Sequence, residues 1–317
     1  MRPIPVMIMM TLALAPASAL ALTVTAAAGQ SVPNPLILKV PRRVGFGQPV
    51  KITGSTPSTY AGRDVVLESA PRAGTPWRAL TATRTGSRGR FRFRLVPRTS
   101  ALLRVVESPG PSATPAIAAV RGAAPSATGG PASALTPLTV APRLLVHRHR
   151  FAVLGRGGIR VAGRLLPASA GRNIRLQGHT STGWHTVARG RTGRRGGFTL
   201  HYAPGSGTRR RLRVLFAGDS QNARATDAAG TVTVFSQDVA SWYDDGGATA
   251  CGFHAGLGVA NRTLPCGTRV AFHHGGRTVS AVVDDRGPYA GGRNWDLNQG
   301  TAAALGFAGV GTVWVSS

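Results

Sequence analysis

The chain of 317 residues sets 38 Lys and Arg against 11 Asp and Glu, a formal charge of +27, with 42% hydrophobic residues, 42 Gly and 22 Pro. Such a balance favours short strands and turns over long helices, and the length suits two or three domains rather than one small one. No segment beyond the N-terminal stretch is apolar enough to cross a bilayer, so a transmembrane anchor is not expected.

The first element is a secretory leader over residues 1–28. Arg2 supplies the positive start and Val6 to Leu14 a short apolar core. Small residues at Ala19-Leu20-Ala21 and at Ala26-Ala27-Ala28 offer two cleavage sites, after Ala21 or after Ala28. The expectation is a secreted protein, extracellular or held at the cell wall. Two cysteines, Cys251 and Cys266, lie close together, and in an exported chain such a pair forms one disulfide. Two thiols do not complete a zinc shell, so no metal is expected.

The charge is uneven along the chain. From Asp238 onward five Arg face six Asp, a net of −1, so the first 237 residues carry +28. Nucleic acid is the usual partner for such charge, but export argues against DNA or RNA. Anionic wall polymers or acidic lipid headgroups are the alternatives, beside the plain one that arginine is spread for solubility.

Next come two copies of one pattern, expected over 34–121 and 137–235. Gly54 and Gly62 match Gly163 and Gly171, Trp77 and Phe91 match Trp184 and Phe198, and Leu103 and Val105 match Leu212 and Val214. "GRFRFRL" and "GGFTLHY" alternate apolar and polar residues at period two. Each copy reads as an immunoglobulin-like β-sandwich with its Trp in the core, the alternative being a ligand platform. The alternating arginines then face outward and make basic faces. The Ala-, Pro-, Gly- and Ser-rich segment 122–136 reads as a flexible linker.

The last domain is expected over 237–317, after "TVTVF" closes the second copy near Phe235. Strands are expected at 239–243, 257–261, 268–274, 277–283 and 311–316, with a helix at 299–305 between Asn298 as N-cap and Gly306. Five or six short strands and one or two short helices make a small closed barrel. The whole chain is therefore all-β, two tandem sandwiches followed by a barrel.

The ordered motifs "ASWY", "TACG", "LGVANRTLPCGTRV", "VVDDRGPY" and "GRNWDLNQGTAAALGF" over 239–317 resemble the rare lipoprotein A (RlpA) family. That family has a six-stranded double-psi β-barrel, also found in expansins. The resemblance covers a quarter of the chain and leaves the front repeats unassigned. It implies lytic cleavage of peptidoglycan glycan strands without a cofactor. One carboxyl protonates the glycosidic oxygen, then as carboxylate takes a proton from a sugar hydroxyl that closes an anhydro ring. Ordinary hydrolysis would need two carboxylates.

On this resemblance Asp285, in "DRGPY", is the acid and base, and Asp296, in "WDLN", a second catalytic aspartate. The alternative for both is an acid that holds its loop through backbone hydrogen bonds. Arg286 either pairs with a neighbouring acid or meets substrate. Tyr243, Tyr289 and Trp295 are expected to line a sugar groove; Trp242 suits core or groove. The family usually has His where Asn261 stands, and the short loop "CGFHAGLG" lacks the Glu that enzymatic members carry. Asn261 can orient a sugar but cannot shuttle a proton. His254 is a candidate replacement, against the plainer reading of a loop residue. Three functions follow: a lytic transglycosylase-like enzyme, a non-catalytic expansin-like polysaccharide binder, or an adhesin whose basic sandwiches do the work.

Overall fold

The computed structural model describes residues 36–108, 132–244 and 246–316, so the expected leader and most of the expected linker lie outside the described residues. Among them the chain is strands apart from one α-helix, Gln299–Leu305, and a single 3-10 turn. No helix among these residues is long and apolar enough to cross a membrane.

In the front module a three-stranded sheet (Ile37–Lys39, Val50–Ser55, Arg90–Leu95) packs on a five-stranded one containing Asp64–Ala70 and Ala101–Glu107. Period-two alternation sends Ile52, Phe91 and Phe93 inward from one sheet and Leu67, Leu103 and Val105 from the other. Strand Thr136–Ala141, expected to open the second repeat, pairs with Ala101–Glu107 and completes the first. Ser133, expected in the linker, is buried, and its hydroxyl accepts the Val105 N–H at 2.9 Å. Residues 132–136 are thus fixed by ladder and side-chain bonds that composition alone does not display.

In the second module Arg143–Val146, Ile159–Leu166 and Gly197–Tyr202 form one layer. The other holds Gly183–Arg191, Asn173–Thr180, Arg209–Phe216, the start of a 19-residue strand Ala225–Tyr243, and His149–Leu154. Matched residues occupy matched places in the two modules. Gly54 lies opposite Phe91 and Gly163 opposite Phe198. Trp77 and Trp184, expected in the cores, are half-buried outside them. Each ring is covered by an arginine, Arg104 at 4.3 Å and Arg213 at 4.2 Å, which explains the exception: the cation needs one face of the ring open.

The expected boundary at 235–237 falls inside the strand Ala225–Tyr243. Up to Phe235 it pairs with His149–Leu154, and from Ser236 with Gly311–Ser316. The strand then joins a closed ring of six: Ala225–Tyr243, Trp295–Asn298, Gly258–Ala260, Arg277–Asp285, Arg269–His274 and Gly311–Ser316, back to the first. Ala240, Val259, Phe272, Val283, Leu297 and Val313 fill it. Asn298 caps the helix by accepting the Thr301 N–H, and Gly306 ends it at φ 66°.

Candidate functional site

The site grows from an irregularity in the ring. Strand Gly258–Ala260 runs parallel to Arg277–Asp285, with Val259 opposite Val283 and Ala260 opposite Asp285. Asp284 is the extra residue of that bulge, and a bulge re-aims the side chains beside it. On its other edge Ala260 lies opposite Asp296, which pairs with Ser241. Asp285, Ala260, Asp296 and Ser241 therefore form one row across the sheet. Two strand spacings separate the aspartates, about 10 Å between Cα atoms. Ala260, 2% exposed, lies between them in the row.

The two carboxylates are held alike. Asp285 Oδ1 accepts the Ala250 N–H and the Arg286 N–H, both at 2.8 Å. Asp296 Oδ1 accepts the Ser241 hydroxyl at 2.7 Å. In each the second oxygen, Oδ2, carries no hydrogen bond from the described residues, and both side chains are half-buried. A carboxyl anchored through one oxygen keeps the other for a ligand. That arrangement can hold sugar hydroxyls, or donate and take back one proton.

The loops that close this end of the barrel are tied together. Cys251 and Cys266 form the expected disulfide, Cα atoms 5.8 Å apart, joining the loop before Gly258–Ala260 to the loop after it. Asp284, 1% exposed, accepts the Ala255 N–H at 2.8 Å through Oδ2. Gly258 makes room for it: a Cβ there would lie 2.2 Å from Asp284 Oδ2.

Three other expected site residues are tied into the framework around the row. Trp295 is buried; its indole N–H donates to Asp238 at 2.9 Å and its ring meets Phe272 edge-on. It faces the core because the alternation that aims Asp296 outward aims its neighbours inward. Asn261 is buried too: its carbonyl oxygen accepts the Thr263 and Leu264 N–H groups, and its amide donates to the Asn294 carbonyl. This is an Asx turn, which commits the side chain to its own loop. Among the described residues Arg286 pairs with no acid; it donates to the carbonyls of Asn261 and Leu264 and to Cys266 Sγ. Arg286 thereby clamps the same loop.

The aromatic side chains divide. Tyr289 is 82% exposed and Trp242 42%, beside or below the row of acids in sequence, whereas the Tyr243 hydroxyl is buried. His254 is exposed in the short loop, next to Ala255. Gly287, with φ 125°, turns the chain between Arg286 and Pro288, a conformation that favours glycine.

Three residues that hold the row and its loops in place escape a reading of the sequence: Ser241, Asp284 and Arg262. The last donates to the carbonyls of Pro288 and Arg293 and to the Asn294 side chain. Ser241 has a signal, since alternation in "ASWY" puts it two residues from Tyr243. Nothing local marks Asp284 as the bulged residue.

Residues 236–317 match the family described as Lytic transglycolase. Two relatives each match about a quarter of the chain. A probable endolytic peptidoglycan transglycosylase RlpA of Synechocystis sp. is 40% identical over 103 residues, 27% of this chain and 30% of that protein. One of Nostoc sp. with the same description is 37% identical over 93 residues, 26% of this chain and 25% of that protein. The chain thus spans under a third of the length of either relative. Residues 236–317 are an RlpA-like double-psi β-barrel segment, and the two front modules find no counterpart in these matches.

Proposed function

We propose that the chain is an exported cell-envelope protein that cleaves peptidoglycan glycan strands in a lytic transglycosylase-like reaction. Asp285 is the acid and then the base, and Asp296 positions the sugar. The observation that carries this reading is the row Asp285–Ala260–Asp296, with one oxygen of each carboxylate left for substrate. The two backbone N–H groups on Asp285 Oδ1 fix the carboxyl and leave Oδ2 for proton transfer to a glycosidic oxygen. The names of the two relatives support the same substrate class. Exposed Tyr289, four residues after Asp285, supplies a flat face for a sugar ring.

A second reading is favoured by one observation. Asn261 occupies the position where the family usually has His, and its carboxamide is spent on its own loop. With no second proton carrier there, the groove would hold a glycan without cutting it, as in an expansin-like wall-binding protein. The front modules, in our reading immunoglobulin-like sandwiches, would then serve as spacers or anchors.

The test uses the full chain, because a cut at residue 236 would sever the strand Ala225–Tyr243. Peptidoglycan stripped of its peptides is incubated with the protein and with Asp285→Asn, and anhydro-sugar products are sought by mass spectrometry. The lytic reading expects product from the first and at least a hundredfold less from the second, the scale of one general acid–base group. No product from the unmutated chain, with glycan binding retained, selects the binding reading.

A further inference from the structure

The second module and the barrel share more than a strand. Where Ala225–Tyr243 passes from one to the other, a cleft of about 610 Å³ opens between the outer face of the module's sheet and the barrel hairpin that carries Ala271, Thr278 and Ser280. Arg150, Arg209, Arg210 and Arg211 line it; no acidic residue does. None of the four makes an ion pair or side-chain hydrogen bond among the described residues, and Arg150, Arg209 and Arg211 are exposed. Two buried or half-buried arginines of the modules are neutralised by acids, Arg104 by Glu68 and Arg172 by Asp219. Here the charges are left uncompensated beside a concavity.

The arrangement is regular. Arg211 and Arg150 flank Thr231 in one row of the sheet; Arg209 and Ala152 flank Thr233 in the next but one. Rows two residues apart along a strand repeat about every 6.6 Å. The cleft thus offers guanidinium groups at that interval, with Thr231 and Thr233 hydroxyls between them and the Phe235 ring beneath. Guanidinium forks suit phosphate oxygens. Successive charges this close fit phosphodiesters joined by a short polyol. A glycan that is acidic on every second sugar spaces its charges farther apart.

We infer that this cleft binds an anionic polymer of phosphodiester-linked polyols, gripped by Arg150, Arg209 and Arg211, and leaves the row of acids open to a second strand. The division of labour follows from the strand Arg277–Asp285. Thr278 and Ser280, near its start, wall the cleft, and Asp285, at its end, belongs to the row of acids. The polymer site and the glycan site therefore lie at opposite ends of the barrel and can be filled together. The inference does not depend on the lytic reading.

The test titrates the full chain with a fluorescently labelled glycerol phosphate oligomer at several salt concentrations. Arg209→Gln/Arg211→Gln and, separately, Arg150→Gln are compared with Arg92→Gln/Arg94→Gln. The last removes the same charge as the first from an exposed strand of the front module. The expected result is at least a tenfold loss for the first pair, a smaller loss for Arg150→Gln, and little change for the distant pair. The slope of log affinity against log salt should fall by about 0.7 for each cleft arginine removed, as for single-stranded polyanions. Equal losses from both double variants would mean that net charge alone binds the polymer, and would overturn the site. Tighter binding of a hyaluronate oligomer or of oligothymidylate with the same number of charges would overturn the polyol phosphate assignment. All these variants are on exposed side chains, and circular dichroism confirms their folding. Asp285→Asn should bind the oligomer like the unmutated chain, so this result and the lytic result can fail separately.

Discussion

The two front modules place the same three groups on their outer sheets but charge them differently. In the first, Arg104 lies over Trp77 and donates to Glu68 at 2.8 Å; in the second, Arg213 lies over Trp184 and donates to Gln177 at 2.9 Å. Glu68 is completely buried, and its Oε1 has no hydrogen bond among the described residues. The second module thus keeps the geometry and drops the buried negative charge. Burial, with a smaller push from Arg224, moves the Arg213 pKa below its ordinary value, as expected of a cation whose partner is a neutral amide. One clamp is an ion pair that must stay whole, and the other a hydrogen bond that need not.

The sharpest way to break this comparison is to remove the cation from each clamp. Arg104→Met strands a buried carboxylate and should cost about 3 kcal/mol, the low end for breaking a buried pair because Arg104 keeps some solvent contact. Arg213→Met strands only an amide and should cost about 1 kcal/mol. Urea unfolding monitored by tryptophan fluorescence measures both. Equal losses would show that the buried charge is not what separates the modules. Glu68→Gln, which copies the second clamp into the first, should then be nearly neutral.

A second pair of changes probes what the modules have in common. A Cβ on Gly54 would come 2.2 Å from the Phe91 ring and 2.3 Å from the Ile37 carbonyl oxygen. On Gly163 it would come 2.5 Å from both the Phe198 ring and the Leu145 carbonyl oxygen. Neither backbone oxygen can move without breaking its sheet. Gly54→Ala and Gly163→Ala should each destabilise by about 2 kcal/mol, the ordinary cost of overpacking, as read by the shift in the urea midpoint. A loss confined to one module would mean that its partner relaxes where the matched contact predicts it cannot.

These glycines are legible in the sequence alone, because a side chain excluded by backbone contact leaves its mark as a matched letter. The barrel strands are legible for a related reason: alternation at period two survives in short segments such as "RVAFHH" and "TVSAVV". Trp295–Asn298 does not read as a strand, being four residues long with an indole, a carboxylate and an amide in it. The joint at Phe235 is deceptive because Ser236, Gln237 and Asp238 look like a polar break between two apolar runs. A strand can be polar there when it leaves one ladder and enters another without passing through a core. Asp285 is readable from its motif, but the work of Asn261 and Arg286 is not, since an Asx turn and a carbonyl clamp use the same letters that would bind a sugar. Which oxygen of Asp285 stays open depends on the Ala250 N–H, 35 positions earlier in the chain.

The smallest predicted effect concerns what only the second module has, its continuity with the barrel. His273 stands at that joint, its ring 5.7 Å from Phe235 and 4.9 Å from Trp314, with Nδ1 2.8 Å from the Thr278 hydroxyl. Burial, and secondarily the neighbouring His274, lower its pKa below the ordinary 6.5. The unfolded chain then binds a proton more readily than the folded one. Stability from this residue is complete above pH 6.5 and is lost as the pH falls through 6.5 toward the lowered folded value. Melting temperatures across that window should decline for the unmutated chain and decline less for His273→Gln. His274→Gln should leave most of the decline in place, because burial is the larger cause. If the three profiles run parallel, the joint is not where the chain feels acid, and the aromatic contacts across it persist with His273 charged.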